Sequence, residues 1–230
     1  MTATAFDFDK ARFNMIEQQI RPWEVLDARV LALLNELRRE DFVPEAYRAL
    51  ALSDLEIPLS QPAVEGESML APKVEARIVQ DLAIRPGDNI LHIGTGSGYL
   101  AALLARLGRQ VLSLEINPQL ADMARRNLAR AGIDNVQVKT ADAAAGRFAS
   151  CASEAPYDVI VLGGSVAEIP GDLLELLRVG GRLFAVVGDD PIMRATLVIR
   201  GSEAGYHSEQ PWDTVIPRLR NFPQPSGFRF

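Results

Sequence analysis

The stretch that decides the fold is Ile90-Leu91-His92-Ile93-Gly94-Thr95-Gly96-Ser97-Gly98-Tyr99-Leu100-Ala101-Ala102-Leu103-Leu104-Ala105. A short apolar run over 89–93 enters a glycine-rich turn, and helical spacing resumes from Leu100 to Leu107. That order reads as strand, tight turn, helix. Glycines at 94, 96 and 98 let the main chain turn sharply and let another molecule approach it without meeting a Cβ. The N-terminus of the helix that follows presents unpaired N–H groups to polar atoms. The spacing is Gly-x-Gly-x-Gly; the dinucleotide fingerprint needs its third glycine at the position of Tyr99.

Working outward, strand and helix patterns alternate. Strands are predicted over 89–93, 110–114, 136–139, 157–162, 182–187 and 195–199, and helices over 100–107, 118–131 and 172–177. Residues 142–153 are small and Ala-rich and read as a short helix or loop. Alternating elements imply a parallel sheet with helices on both faces. Beyond 199 the alternation stops, and 195–199 with 214–219 reads as an antiparallel C-terminal hairpin. The final ten residues carry two prolines and are expected to be loosely ordered. Upstream, Phe13, Ile16 and Ile20, and then Val30, Leu31, Leu34 and Leu37, recur at helical spacing. Residues 53–72 are broken by Pro58, Pro62, Gly66 and Pro72 and read as loop or extended chain, before a helix over 73–83. The expectation is one α/β domain over 1–230. An N-terminal helical cap (1–80) precedes a Rossmann-like core (81–220) whose sheet is mostly parallel with an antiparallel C-terminal hairpin.

Two carboxylates complete the pattern. The strand after the glycine turn ends in Glu115, where an acid can grip both hydroxyls of a ribose. After the third strand comes Asp142, which can reach the exocyclic amine of an adenine ring. Loop and acids on three successive strands point to an adenosine-containing ligand. A nicotinamide dehydrogenase is disfavoured by Tyr99 and by Asp142.

The bulk properties narrow the partners. The net charge is -6, against a broad nucleic-acid surface, so no nucleic acid is expected as partner. No signal peptide and no membrane-length apolar run is read, and a single cysteine, Cys151, fits a reducing compartment, so the expected setting is cytoplasmic. The two histidines, His92 and His207, lie too far apart with one cysteine to suggest a metal, and none is expected. His92 reads as a core residue, His207 as surface, and Cys151 as inert.

The constellation resembles the cofactor pocket of class I S-adenosylmethionine-dependent methyltransferases. Tyr157-Asp158-Val159-Ile160-Val161 and Leu177-Arg178-Val179-Gly180-Gly181 agree with later landmarks of that group. Within it, Arg39-Glu40-Asp41-Phe42-Val43-Pro44, Ile57-Pro58-Leu59, Gly94 to Tyr99, Ile169-Pro170 and Val215-Ile216-Pro217 resemble the protein-L-isoaspartate O-methyltransferase family over roughly residues 12–220. The resemblance implies S-adenosylmethionine as cofactor, held by Gly94, Thr95, Gly96, Ser97, Gly98, Glu115, Ile116, Asp142 and Ala143, with Met69 and Leu70. It implies a peptide or protein acceptor carrying an isoaspartyl residue, whose α-carboxylate is methylated and then closes to a succinimide. Such a carboxylate is ionised at neutral pH and needs no general base, so the absence of a catalytic histidine is no objection.

The family's active-site serine lies in a Thr-Ile-Ser-Gln-Pro segment, and two stretches here compete for it. Leu59-Ser60-Gln61-Pro62 matches by letters, but Ser60 stands further upstream of Gly94 than the family serine. Ser68-Met69-Leu70-Ala71-Pro72 matches by spacing and puts Leu70 at the serine position with Ser68 at the threonine. The candidate catalytic hydroxyls are therefore Ser68 and Ser60. Leucine forms no hydrogen bond, and losing one costs about 1–3 kcal/mol. A different, small acceptor and a cofactor-binding protein without transfer activity stay open as alternatives. Trp23, beside the break at Arg21-Pro22, is expected to help close the acceptor site, or else to anchor the N-terminal helices.

Overall fold

The computed structural model describes residues 6–146 and 148–224. Part of the tail expected to be loosely ordered, 225–230, lies outside the described residues. The helices are α1 (Phe8–Met15), α2 (Ala28–Glu36), α3 (Pro72–Leu82), α4 (Tyr99–Leu107), α5 (Pro118–Arg130), α6 (Ala149–Ala152) and α7 (Gly171–Glu175). The strands are β1 (Ile57–Pro58), β2 (Ser68–Met69), β3 (Asn89–Ile93), β4 (Gln110–Glu115), β5 (Val136–Thr140), β6 (Tyr157–Val166), β7 (Leu177–Asp189), β8 (Ile192–Arg200) and β9 (Tyr206–Asp213).

Seven strands form one sheet in the order β5-β4-β3-β6-β7-β8-β9. β3 to β7 run parallel, and β8 and β9 are antiparallel to their neighbours. The Rossmann-like expectation is met, with the C-terminal hairpin shifted. The partner of β8 is β9 at 206–213, not 214–219. β9 carries polar residues on both faces and is exposed along nearly its whole length, so no apolar alternation marks it.

Alternation along the strands feeds two cores. Ile90, Val159, Val161, Phe184 and Val186 pack with the N-terminal helices, α3, α4 and α5. Leu91, Ile160, Leu162, Leu183 and Ala185 pack on the opposite face with Phe148, Cys151 and Leu173. β6 is buried from end to end but for Gly163, as a central parallel strand must be. Caps fix the helices: Asn117 accepts from the Gln119 N–H at 2.9 Å, with Pro118 in the first turn.

The N-terminal layer corrects one detail. A π-type segment, Ile16–Ile20, follows α1. It changes the helical register, so Met15, Ile16 and Ile20 face inward while Phe13 is 60% exposed. Val30, Leu31, Leu34 and Leu37 are all buried, as their spacing predicts.

Candidate active site

The chain leaves β3 toward one edge of the sheet through β4 and β5, then returns to lay β6 on the other side of β3. This reversal opens a crevice at the C-terminal ends of β3 and β6, where open α/β sheets bind ligands. A cleft lies there, lined by Gly94 and Gly96, by Glu115 and Ile116, by Ala141 to Ala143 and by the Gly163-Gly164 pair of β6.

The glycines serve different ends. Gly96 has φ +54, and a Cβ there would project to within 3.3 Å of Leu59 Cδ1 at the cleft wall. Gly98 has φ +88, and its missing Cβ makes room for Ala124 of α5 at 3.2 Å. Gly98 is thus a helix-packing glycine and does not line the cleft. Thr95 and Ser97 turn inward. Thr95 Oγ1 meets Ser113 Oγ at 2.7 Å, and Ser97 O accepts from Asn127 Nδ2 at 2.9 Å. The Ser113 hydroxyl also meets His92 Nδ1 at 3.0 Å. His92 is fully buried, its Nε2 has no partner among the described residues, and desolvation pulls its pKa down to about 4. The ring is therefore neutral at pH 7 and belongs to the core beneath the loop.

Both acids stand at the cleft. Glu115 accepts from the Gly96 N–H at 2.8 Å and from the Asn117 N–H at 3.0 Å, which fixes its carboxylate beside the loop. Asp142 accepts from the Ala144 N–H at 3.0 Å and from Asn221 Nδ2 at 2.8 Å. Each oxygen of a carboxylate has more than one acceptor lobe, so both groups retain capacity for ligand hydroxyl or amine donors.

The competing serine segments separate in space. Ser60 Oγ accepts from the Val64 N–H at 3.1 Å within its own turn and does not line the cleft. Ser68 does line it, and its hydroxyl donates to Glu56 Oε2 at 2.8 Å. Partial desolvation raises the Glu56 pKa, and the Ser68 hydrogen bond opposes that. Met69 and Leu70 are buried and face an inner recess beside Thr95, Ser97 and Gly163. The Arg-Glu-Asp-Phe-Val-Pro run is the scaffold behind this segment. Arg39, 1% exposed, pairs with buried Glu75 and donates to the carbonyls of Leu70 at 2.5 Å and Ala51 at 2.8 Å. Glu40 is buried against Arg12. Burial lowers the Arg39 pKa to about 10, which leaves it charged at neutral pH.

Trp23 lines neither the cleft nor the groove beside it, so of its two expected roles the closing one finds no support and the packing anchor does. Its ring stacks edge-on against Trp212 with centroids 6.1 Å apart and carries Lys73 Nζ at 4.3 Å. These contacts make it a packing anchor between α3 and β9.

The sequence reading missed the segment 217–222. Pro217 O accepts from the Ser165 N–H at 2.7 Å, and the Leu219 N–H donates to Ser165 O at 2.9 Å, which ties the chain along the end of β6. From there Pro217, Arg218, Leu219, Arg220 and Phe222 wall the cleft, and Arg220 reaches Glu67 at 3.1 Å. No local pattern marks this wall. The Gly163-Gly164 pair at a strand end was the legible signal for its neighbour.

Among the described residues no group of His, Cys, Asp and Glu could hold a metal ion, and no helix is long and apolar enough to cross a membrane. The family model described as Protein-L-isoaspartate(D-aspartate) O-methyltransferase matches residues 10–216. A protein-L-isoaspartate O-methyltransferase of Methanoculleus marisnigri is 42% identical over 179 residues, 78% of each chain. That of Methanospirillum hungatei is 40% identical over 199 residues, covering 86% of this chain and 88% of its own. The fold matches a crystal structure from Plasmodium falciparum, described as a putative protein-L-isoaspartate O-methyltransferase in complex with S-adenosyl-L-homocysteine. Its TM-score is 0.75 at 20% identity, over 94% of this chain and 99% of that one. With the glycine turn, both carboxylates and the buried Arg39 scaffold in place, the chain belongs to the protein-L-isoaspartate O-methyltransferase family.

Proposed function

We propose that this protein is an S-adenosylmethionine-dependent methyltransferase that esterifies the α-carboxylate of isoaspartyl residues in peptides or proteins. The observation that carries the reading is the cleft at the sheet's switch point, with Gly96 open to a ligand and the Glu115 and Asp142 carboxylates at successive strand ends. The donor set fits the cofactor. Glu115 suits ribose hydroxyls, Asp142 an adenine amine, and Gly94, Gly96, Ile116 and Ala143 the close walls between them. Met69 and Leu70, with Thr95 and Ser97, support the loop from the inner recess. When bound, the cofactor supplies an electrophilic methyl group on a sulfonium.

What the chain itself does is modest and physical. A carboxylate with pKa near 4 arrives ionised, so no side chain needs to remove a proton. His92 is buried and neutral and takes no part in proton transfer. The residues have to orient the carboxylate and exclude water. A groove lined by Glu56, Glu65, Met193 and Val215 meets the cleft at Ser68 and offers the acceptor path. Ser68 is the hydroxyl placed to touch an acceptor; Leu70, at the family's serine position, is buried against the inner recess and offers no hydroxyl there. The apolar residue at that position also favours a second reading, transfer to a different acceptor.

We infer further that the N-terminal helices and the sheet act as one domain, since one core cluster joins them. The free buried Cys151 supports a reducing, cytoplasmic setting, and the net charge of -6 a partner other than nucleic acid. The test is methyl transfer from labelled S-adenosylmethionine to an isoaspartyl peptide beside its aspartyl twin. Selective labelling of the isoaspartyl form supports the reading. No labelling by protein that binds S-adenosylhomocysteine rejects it.

A further inference from the structure

We propose that Arg218 anchors the acceptor's carboxylate and makes the acceptor subsite selective for an anion over a neutral hydroxyl or amide; the proposal rests on the methyl-transfer reading above. Arg218 lines both the cleft and the groove that meets it. Its main chain is held on β6 at Ser165, through the hydrogen bonds of Pro217 and Leu219 on either side. The side chain thus starts from a fixed point one residue beyond Gly164, at the join of the two spaces.

Arg218 and Arg220 are the cations lining these spaces, and they differ in what they have left to give. Arg220 donates to Glu67, whose side chain is 9% exposed, so its charge is met by a nearly buried carboxylate. Arg218 places Nη2 on the Gly188 carbonyl at 2.7 Å and on Asp189, whose side chain is 71% exposed and well solvated. Its Nη1 is buried and has no partner among the described residues. A buried guanidinium nitrogen without an acceptor is costly, and a carboxylate is the acceptor a guanidinium fork fits best.

The surroundings sharpen the assignment. The groove also carries Glu56, Glu65, Asp189 and Asp190. An anionic acceptor moving past them is repelled unless a cation receives it at the inner end. Arg218 supplies that cation and orients the acceptor, with its carboxylate toward the cleft and its neutral or basic flanks along the acidic walls.

The experiment uses the full chain loaded with S-adenosylhomocysteine. Calorimetry measures an isoaspartyl peptide against the twin whose α-carboxylate is a carboxamide, and methyl transfer to the isoaspartyl peptide is assayed in parallel. The expected result is wild-type binding about tenfold or more tighter for the carboxylate. Arg218→Met should erase that preference while S-adenosylhomocysteine still binds, Arg218→Lys should restore part of it, and Asp189→Asn should retain it. Equal binding of the twins by wild type, or a preference that survives Arg218→Met, overturns the assignment. Loss in Asp189→Asn matching Arg218→Met also overturns it, because Arg218 would then act only by holding residues 188–189. A carboxylate preference without methyl transfer sustains Arg218 and defeats the methyl-transfer reading instead. Transfer with a preference indifferent to Arg218 defeats Arg218 alone.

Discussion

Acid should destabilise this protein through His92, in a window set by its burial. The ring is fully buried, its Nδ1 is engaged with Ser113, and its Nε2 has no partner among the described residues. Protonation would bury a charge and put a second N–H where it finds no acceptor. Desolvation accordingly lowers the pKa from 6.5 to about 4. Between these values the unfolded chain binds the proton and the folded one does not, so stability is full above pH 6.5 and falls as pH drops toward 4. At about 1.36 kcal/mol per unit, the loss is about 2 kcal/mol from pH 7 to pH 5 and about 3 kcal/mol by pH 4. Below pH 4 this contribution levels off. The assay is urea unfolding at pH 7 and pH 5 for wild type and His92→Asn, whose amide can still meet Ser113 but does not titrate. The variant is expected to be less stable at pH 7 yet to lose about 2 kcal/mol less between the two pH values. Equal acid sensitivity of both proteins would refute the argument and assign the acid loss to other groups.

Substitutions at the glycine turn should separate binding from folding. Gly96→Val places a β-branched residue at φ +54 against Leu59 and should weaken S-adenosylhomocysteine binding about tenfold to a hundredfold by calorimetry. Gly98→Ala meets Ala124 of α5 instead and should cost about 1–3 kcal/mol in urea unfolding while the remaining folded protein keeps its affinity. Glu115→Gln removes the charge that accepts from Gly96 and Asn117 and should lower S-adenosylhomocysteine affinity about tenfold or more. Arg39→Met strands Glu75 and releases the Leu70 and Ala51 carbonyls, at about 3–5 kcal/mol in urea unfolding.

Much of the fold is written in local periodicity. The apolar run into Gly94 and the alternation through 187 need only near neighbours in sequence, and a strand appears at each of those places, though β6 runs on to Val166 and β7 starts early, at Leu177. β9 escaped because an edge strand with polar residues on both faces carries no such pattern. For Trp23 the two expected roles, lid or anchor, could not be told apart from neighbouring residues. Its place at a helix break suits either role, and Trp212, distant in sequence, is the partner that makes it an anchor.

The site divides along the same line. The sequence by itself determined the Rossmann-like class, the glycine turn and the acids Glu115 and Asp142. Each of these is a residue type required at a strand end by covalent geometry or ligand chemistry. Only the tertiary structure shows that Ser68 and not Ser60 lines the cleft, because the question is which loop folds back on it. The β1–β2 pairing of Ile57 with Met69 and the Arg39 bond to Leu70 answer it. Only the tertiary structure brought Arg218 to the cleft, through backbone bonds to Ser165. A hydrogen bond between segments so distant along the chain leaves no periodic trace in either of them, which is why that wall of the site was silent until the chain was folded.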